Sequence, residues 1–355
     1  MNDIIAINGS FLLGKITGME RFAMEIIKEL DRICNKDEYE IVAPNNLKYN
    51  PRLVNIPIIK YGSDNGKLWS QTAYCWYVIR NHRIPLSLTS LIPIIKPGIV
   101  CIHDITFKVN KAMFNYSFRS KLSRIWRNFQ YDLCFKYCPI IFTVSEFSKK
   151  EILSSYCIDE ERVVVLGNGW DHFEKVIPND LIRKKHPEYF EKPFFFALGS
   201  LAENKNIKWI MKTAQYHPTY NFLIAGGIIN NYGATFVEKS IPNVFFLGYI
   251  SDSEVKYIMS QARAFLFPSI YEGFGIPPLE ALSVGTEIII SNTSCLPEIY
   301  QDCAHYIDPY SPCMNLDDVL SNPVCGCEKL LKKYTWRRSA QILNSTLITY
   351  MKELR

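Results

Sequence analysis

A chain of 355 residues, 48% hydrophobic and 21% charged, is long for one domain and comfortable for two with sizeable cores. Its net charge of +5 is mild and no nucleic-acid motif accompanies it, so nucleic acid is not an expected partner. Eleven cysteines without paired CxxC spacing or a His cluster argue against a zinc framework and read as free thiols of a reducing cytoplasm.

Met1-Asn-Asp3 runs straight into the strand-like Ile4-Ile-Ala-Ile7, so no N-terminal signal peptide is expected. Met19, Phe22, Ala23, Ile26, Ile27, Leu30 and Ile33 then mark an amphipathic helix. Further strands are predicted at Glu40–Ala43, Ile99–Ile102, Ile140–Val144 and Val163–Leu166. The most apolar long stretch, Leu86 to Phe107, is broken by Pro93, Lys96, Pro97 and His103-Asp104, which excludes a membrane span. Between Lys108 and Cys138 stand seven Lys/Arg residues and one acid, Asp132, interleaved with aromatics such as Phe114, Tyr116, Phe118 and Trp126. Helical spacing puts Leu122, Ile125, Trp126, Phe129 and Leu133 on one face, expected to be buried, and Lys121, Arg124 and Arg127 on another. That basic face is either the solvated side of a core helix or a surface for anionic membrane or a lipid-phosphate acceptor.

Residues 176–192 are polar, charged and proline-containing, and read as a linker. The alternation of strands and helices then restarts, with strands predicted at Phe194–Leu198, Asn221–Ala225, Val244–Leu247, Ala264–Phe267 and Glu287–Ile290. Alternation of this kind through both halves points to α/β architecture with two Rossmann-like domains, at 1–175 and 193–335, facing across a cleft. Residues 336–355 have helical spacing, with Ala340, Leu343, Leu347 and Tyr350 on one face.

The most informative segment is Glu272-Gly-Phe-Gly-Ile-Pro-Pro-Leu-Glu280. Gly273 and Gly275 let the backbone approach a ligand with its amides exposed, and Pro277 and Pro278 suit the first turn of a helix that Gly285 closes. Two carboxylates and a helix N-terminus in one unit suit a polyhydroxylated, phosphate-bearing ligand such as a sugar-nucleotide.

This segment resembles the E-x7-E signature of the retaining GT-B-fold glycosyltransferases that include many bacterial mannosyl- and glucosyltransferases. Other blocks extend the resemblance. Gly14-Lys-Ile-Thr-Gly18 is similar to the family's glycine-rich loop, and His103-Asp104 before Ile105-Thr-Phe107 to its His-Asp segment. Thr143-Val-Ser-Glu-Phe-Ser148 and Gly167-Asn-Gly169 resemble scaffold landmarks. Gly199-Ser-Leu-Ala-Glu-Asn-Lys-Asn206 keeps a Lys-Asn pair, but Asn204 stands where the family has an arginine. Gly248-Tyr-Ile-Ser-Asp-Ser-Glu254 resembles the turn whose backbone contacts the base.

The resemblance implies a GT-B fold whose C-terminal helix, 336–355, crosses back to the first domain. It implies His103, Lys205 and Glu272 as catalytic residues. Donor binding falls to Gly14, Gly18, Ser200, Lys205, Tyr249, Ile250, Gly273, Phe274, Gly275 and Glu280. Glu272 and the Gly273–Gly275 amides would face the sugar, Glu280 the ribose and Lys205 the diphosphate. The expected reaction moves a hexose from a GDP- or UDP-sugar to a hydroxyl acceptor, with retention and with neither metal nor cofactor. A glycan or lipid-linked glycan of a bacterial surface polysaccharide is the expected acceptor, and the cytoplasm or the inner face of the plasma membrane the expected place. An epimerase of the same fold remains an alternative. So does a phosphate-binding loop, because Gly9 to Lys15 nearly spells GxxxxGK, although Ile16 replaces the hydroxyl that holds magnesium.

Overall fold

The computed structural model describes residues 4–14, 17–63, 67–114, 118–227 and 241–354. The chain divides into two compact units, Met1–Gly169 with Thr335–Arg355, and Trp170–Tyr334.

The first unit holds seven strands: β1 Ile5–Asn8, β2 Tyr39–Ala43, β3 Ile58–Lys60, β4 Ile84–Ser87, β5 Ile99–Cys101, β6 Ile141–Thr143 and β7 Val163–Val165. They form one parallel sheet in the order β3-β2-β1-β4-β5-β6-β7. Strands β1 and β2 are buried along their whole length, as parallel strands covered on both faces are. Glu40 interrupts the apolar run of β2, and Arg83 holds its carboxylate at 2.9 Å. Strand β4 carries Pro85 opposite Ala6. A proline, having no N–H, is unusual in a central strand, and 84–87 is not among the strands predicted from the sequence.

The first helix, Gly18–Ile33, begins with a capping box between Thr17 and Glu20 and buries Phe22, Ala23, Ile26, Ile27 and Leu30. The C-terminal helix, Trp336–Glu353, packs on it. Trp336 meets Phe22 edge-on at 6.0 Å, and the Asn344 side chain accepts from the Tyr39 hydroxyl at 2.6 Å. Lys15, Ile16, Tyr116 and Arg355 lie outside the described residues.

Helix Phe118–Tyr137 reverses the expected orientation. Phe118, Leu122, Ile125 and Phe129, one stripe at three- and four-residue spacing, are 76%, 50%, 59% and 43% exposed. The buried side mixes Ser120 and Gln130 with Tyr131, Cys134 and Phe135, which join the hydrophobic core, and Leu133 packs against that core. The Gln130 side chain accepts from the Ile92 N–H at 3.1 Å, and the Tyr131 hydroxyl donates to the Asp104 carbonyl at 3.1 Å. Arg127 reaches the Ser90 carbonyl and covers the Phe107 ring at 5.7 Å. Periodicity groups residues onto faces without saying which face turns inward. Here hydrogen bonds to the loop after β4 and to the turn after β5 decide it. Arg124 and Arg127 are half-buried, whereas Arg119, Lys121 and Lys136 are exposed.

The second unit holds β8 Phe194–Leu198, β9 Asn221–Ala225, β10 Val244–Gly248, β11 Ala264–Phe267, β12 Ile288–Ser291 and β13 His305–Ile307. They form a parallel sheet in the order β10-β9-β8-β11-β12-β13. Trp209, Ile210 and Ala214 of helix Ile207–Tyr216 pack on Phe195, Ile224, Leu266 and Ile289.

The stretch read as a linker, 176–192, lies within this unit and carries the helical turns Leu181–Lys185 and Pro187–Phe190. The Asn179 N–H donates to the Ser253 carbonyl at 3.0 Å, and Tyr189 packs on Phe245. Its charges lie on the outside of a packed segment, and the boundary between units falls after Gly169. Among the described residues no helix is long and apolar enough to cross a membrane.

Candidate functional site

In the second sheet, β8, β9 and β10 run outward to one side and β11, β12 and β13 to the other. The order therefore reverses between β8 and β11, and ligands of open parallel sheets bind beyond the carboxyl ends of strands at such a point. The loops leaving those two strands carry Lys205 and Glu272. Lys205 Nζ lies 2.6 Å from Glu272 Oε1, and their side chains are only 23% and 12% exposed. The ammonium also stands 5.1 Å over the Phe267 ring, and its stem lies across Gly199.

Two asparagines lock these loops together. Asn204 accepts from the Ile270 N–H through its carbonyl and donates from its side chain to the Tyr271 carbonyl at 3.2 Å. Asn206, left-handed at φ 55°, donates to the Pro268 and Pro309 carbonyls. The residue that departs from the family pattern, Asn204, thus clamps the loop that carries Glu272. The Glu272 N–H donates to Ser294 Oγ at 3.2 Å. Desolvation offsets most of the Coulombic gain of a pair as buried as Lys205–Glu272, so stability alone gives little reason for it.

Gly273, Phe274 and Gly275 lead from Glu272 into helix Ile276–Ser283. Gly275 is left-handed at φ 85°, and a Cβ there would press on Leu296 and Phe267 at 3.1 and 3.2 Å. Only glycine makes that turn without strain. The Tyr300 hydroxyl donates to its carbonyl, and Phe274 is buried against Tyr334. Pro277 and Pro278 occupy the first turn of the helix.

Glu280, on that helix, is buried, and its Oε1 lies 3.1 Å from His172 Nε2. The two carboxylates of the segment thus have separate nitrogen partners. His172 was not foreseen, because its partner is far away in sequence and nothing local marks it. The one signal was its place just after Gly167-Asn-Gly169. Ser200 is half-buried at the end of β8. Tyr249, 70% exposed, and Ile250 follow Gly248 at the end of β10.

Gly14, Gly18 and His103 belong to the first unit. Among the described residues, a Cβ on Gly14 or Gly18 would meet nothing within 4 Å, and neither has a left-handed φ, so packing against those residues does not explain a glycine at either position. Gly9 differs: a Cβ there would meet the Val42 carbonyl at 2.6 Å. It lies in the turn Gly9–Leu12, packed on β2. Half-buried His103 donates from Nε2 to the Leu88 carbonyl at 3.1 Å and stands edge-on to Phe22 at 4.6 Å. Burial pushes its pKa down to about 4, so the imidazole is neutral at pH 7 with the lone pair on Nδ1.

Over residues 178–312 the chain matches a family model described as glycosyl transferases group 1. The O-antigen chain mannosyltransferase RfbU of Salmonella typhimurium is 28% identical over 318 residues, 84% of this chain and 85% of that protein. Among solved structures, WaaG, a glycosyltransferase involved in lipopolysaccharide biosynthesis, superposes with a TM-score of 0.66 at 16% identity, covering 99% of this chain and 98% of WaaG. Anabaena HepE in complex with UDP-glucose does so with a TM-score of 0.66 at 16% identity, covering 98% of this chain and 97% of HepE. These likenesses show that the fold is GT-B.

Proposed function

With the chain a member of the glycosyl transferases group 1 family through residues 178–312, and a glycosyltransferase in activity, we propose that it is a retaining, metal-independent hexosyltransferase. It moves a hexose, mannose being favoured by its resemblance to RfbU, from a GDP- or UDP-sugar to a hydroxyl of a growing surface polysaccharide. The observation that carries this reading is the Lys205–Glu272 pair at the reversal point of the second sheet. A ligand with a diphosphate beside a sugar supplies an anion for the ammonium and hydroxyl donors for the carboxylate, replacing both halves of the pair at once.

The hard step is departure of the diphosphate while the anomeric carbon becomes oxocarbenium-like. Lys205 stabilises the charge growing on the leaving oxygen, and the amides at Gly273–Gly275 with the N-terminus of helix 276–283 add to it. Glu272 holds the sugar hydroxyls and Glu280 the ribose. Gly14 and Gly18, unexplained by packing, suit close approach of the phosphates. His103 enters as a neutral imidazole, able to accept a hydroxyl proton at Nδ1 but carrying no charge. Retention follows if the leaving phosphate takes the acceptor proton on the same face. The exposed stripe Phe118–Leu122–Ile125–Phe129, flanked by Arg119, Lys121 and Lys136, fits an anionic membrane surface at the inner face of the plasma membrane. A lipid-linked glycan acceptor would be met there.

The test is a donor panel of GDP- and UDP-sugars with and without a membrane lipid extract as acceptor, reading released nucleotide and the anomeric configuration of the product. Release from one donor only when acceptor is present, with an α-linked product from an α-linked donor, is the expected result. No release from any donor, an inverted product, or an epimerised donor without acceptor would overturn the proposal.

A further inference from the structure

The turn that carries Glu272 is held by a second segment besides Asn204 and Asn206. Residues 293–300 follow β12, the neighbour of β11 in the sheet, and meet that turn along its length. The Thr293 hydroxyl donates to the Ile270 carbonyl at 3.1 Å, and Ser294 Oγ accepts from the Glu272 N–H at 3.2 Å. Further along, Leu296 stands beside Gly275 and the Tyr300 hydroxyl donates to the Gly275 carbonyl. Cys295 is fully buried. Burial first, and then the charge of Glu272, push its thiol well above the ordinary pKa, so the carboxylate stands near the residue that follows Ser294.

Ser294 makes its contact from a strained backbone. Its φ is 54°, in the left-handed region that serine rarely adopts. In the described part of the second unit three residues other than glycine have a positive φ: Asn206, Ser294 and Gln301. Two of the three hold the loop that bears Glu272, Asn206 through the Pro268 carbonyl and Ser294 through Glu272 itself. Asparagine tolerates this conformation better than serine does. Glycine at 294 would adopt it without strain, but would lose the hydroxyl. Strain of this kind persists where the surrounding structure over-determines it, and it gathers at active sites. Thr293, Leu296 and Tyr300 hold the residues to either side, whereas Ser294 holds the peptide from which the carboxylate projects.

We infer that Ser294 is a positioning residue for sugar transfer: its hydroxyl pins the Glu272 amide and so sets where the carboxylate stands against the sugar. The inference rests on the role proposed above for Glu272. Turnover depends steeply on such placement, about 10²-fold for a misplacement of roughly 1 Å. Binding of a nucleoside diphosphate depends on it far less, because that contact is assigned to Lys205.

The test is three variants of the full chain, each measured for turnover with the donor panel and lipid extract described above, for nucleoside diphosphate affinity and for melting temperature. Ser294→Gly removes the hydroxyl and the strain together, and Ser294→Ala removes the hydroxyl and keeps the strain. Ser294→Thr keeps the hydroxyl and adds strain, because its side chain is β-branched. Turnover should follow the hydroxyl, falling at least about tenfold in Ser294→Gly and Ser294→Ala and mostly recovering in Ser294→Thr. Diphosphate affinity should stay within about threefold in all three, as for a contact that matters in the transition state. Melting temperature should follow the backbone instead, nearest to wild type in Ser294→Gly and lower in the other two. Hydrogen exchange of the peptide carrying Glu272 should quicken in Ser294→Gly and Ser294→Ala.

Turnover that tracks melting temperature, with Ser294→Gly close to wild type, would overturn the inference by showing a structural role. So would a loss of diphosphate affinity equal to the loss of turnover, or unchanged exchange in Ser294→Gly. Turnover lowered by Glu272→Gln but not by Ser294→Gly counts against Ser294 alone. A wild-type chain that transfers from no donor overturns the transferase reading, and transfer that survives Glu272→Gln overturns the role of Glu272. In either case the inference falls with its premise.

Discussion

The reversal point of the second sheet and helix 118–137 of the first unit carry similar residue types in opposite settings. At the reversal point, charged groups are buried and paired: Lys205 with Glu272, Glu280 with His172. On the helix, apolar groups are exposed with cations beside them. Both arrangements run against the usual sorting of polar outward and apolar inward, and both are costly for a chain that has no ligand to meet. Such departures from that sorting are what the proposed function uses: buried charges for a charged donor in the second unit, and an exposed apolar stripe for an anionic membrane on the first.

The sharpest way to break that contrast is at Glu272. Glu272→Gln keeps the shape but removes the charge proposed to face the sugar, and turnover should fall by about 10²-fold or more. Nucleotide affinity should stay within about threefold, because the diphosphate contact at Lys205 survives. Equal losses in turnover and in nucleotide affinity would show that Glu272 does not act on the sugar.

A smaller effect is expected at the other carboxylate. Glu280→Gln and His172→Ala should each weaken nucleotide binding by about tenfold, the scale of one charge-assisted hydrogen bond. The double variant should be little worse than either alone, since the contact is shared. Additive losses would mean that His172 and Glu280 act separately.

On the helix, replacing Leu122, Ile125 and Phe129 together by Ser should reduce partitioning to anionic vesicles by about two decades, on the ordinary value of buried apolar area. Because these positions are exposed, stability should change by no more than ~0.5 kcal/mol per site. Replacing Arg127 would be a poor probe of membrane contact, since it holds the Ser90 carbonyl. A melting temperature that collapses in the Ser variant would show the stripe to be packed on something.

The smallest effect concerns His103. The unfolded chain takes a proton near pH 6.5, whereas the folded imidazole refuses it until about 4. Its contribution to stability is therefore complete above pH 6.5 and is lost as the pH falls toward 4. The imidazole proton resonances should not titrate between pH 7.5 and 5.5, and a midpoint near 6.5 would contradict the buried, neutral assignment.

How far the sequence carried the account differs between the same two regions. Strands such as Phe194–Leu198, Asn221–Ala225 and Ala264–Phe267 were legible to the residue, because buried parallel strands are unbroken apolar runs. The turn Glu272–Gly275 was legible because glycine and proline at fixed offsets state a backbone shape. Strand β4, which carries Pro85, was not read from the sequence, nor were β3 and β13, whose three residues each include a polar one, Lys60 and His305. The inward face of helix 118–137 depends on Gln130 and Tyr131 finding partners in other segments, and the Glu280–His172 contact spans distant segments too. Neither leaves a local trace.

The central claim is that Lys205 and Glu272 mark a site for a nucleoside diphosphate joined to a sugar. Calorimetric titration of the wild-type chain and Lys205→Ala with GDP, UDP and their monophosphates tests it most directly. The account predicts that one diphosphate binds the wild type, that its monophosphate binds more weakly, and that Lys205→Ala loses about two decades of diphosphate affinity, as removal of a partly buried charged contact does. Failure of every diphosphate to bind, or the same affinity in Lys205→Ala, would contradict it.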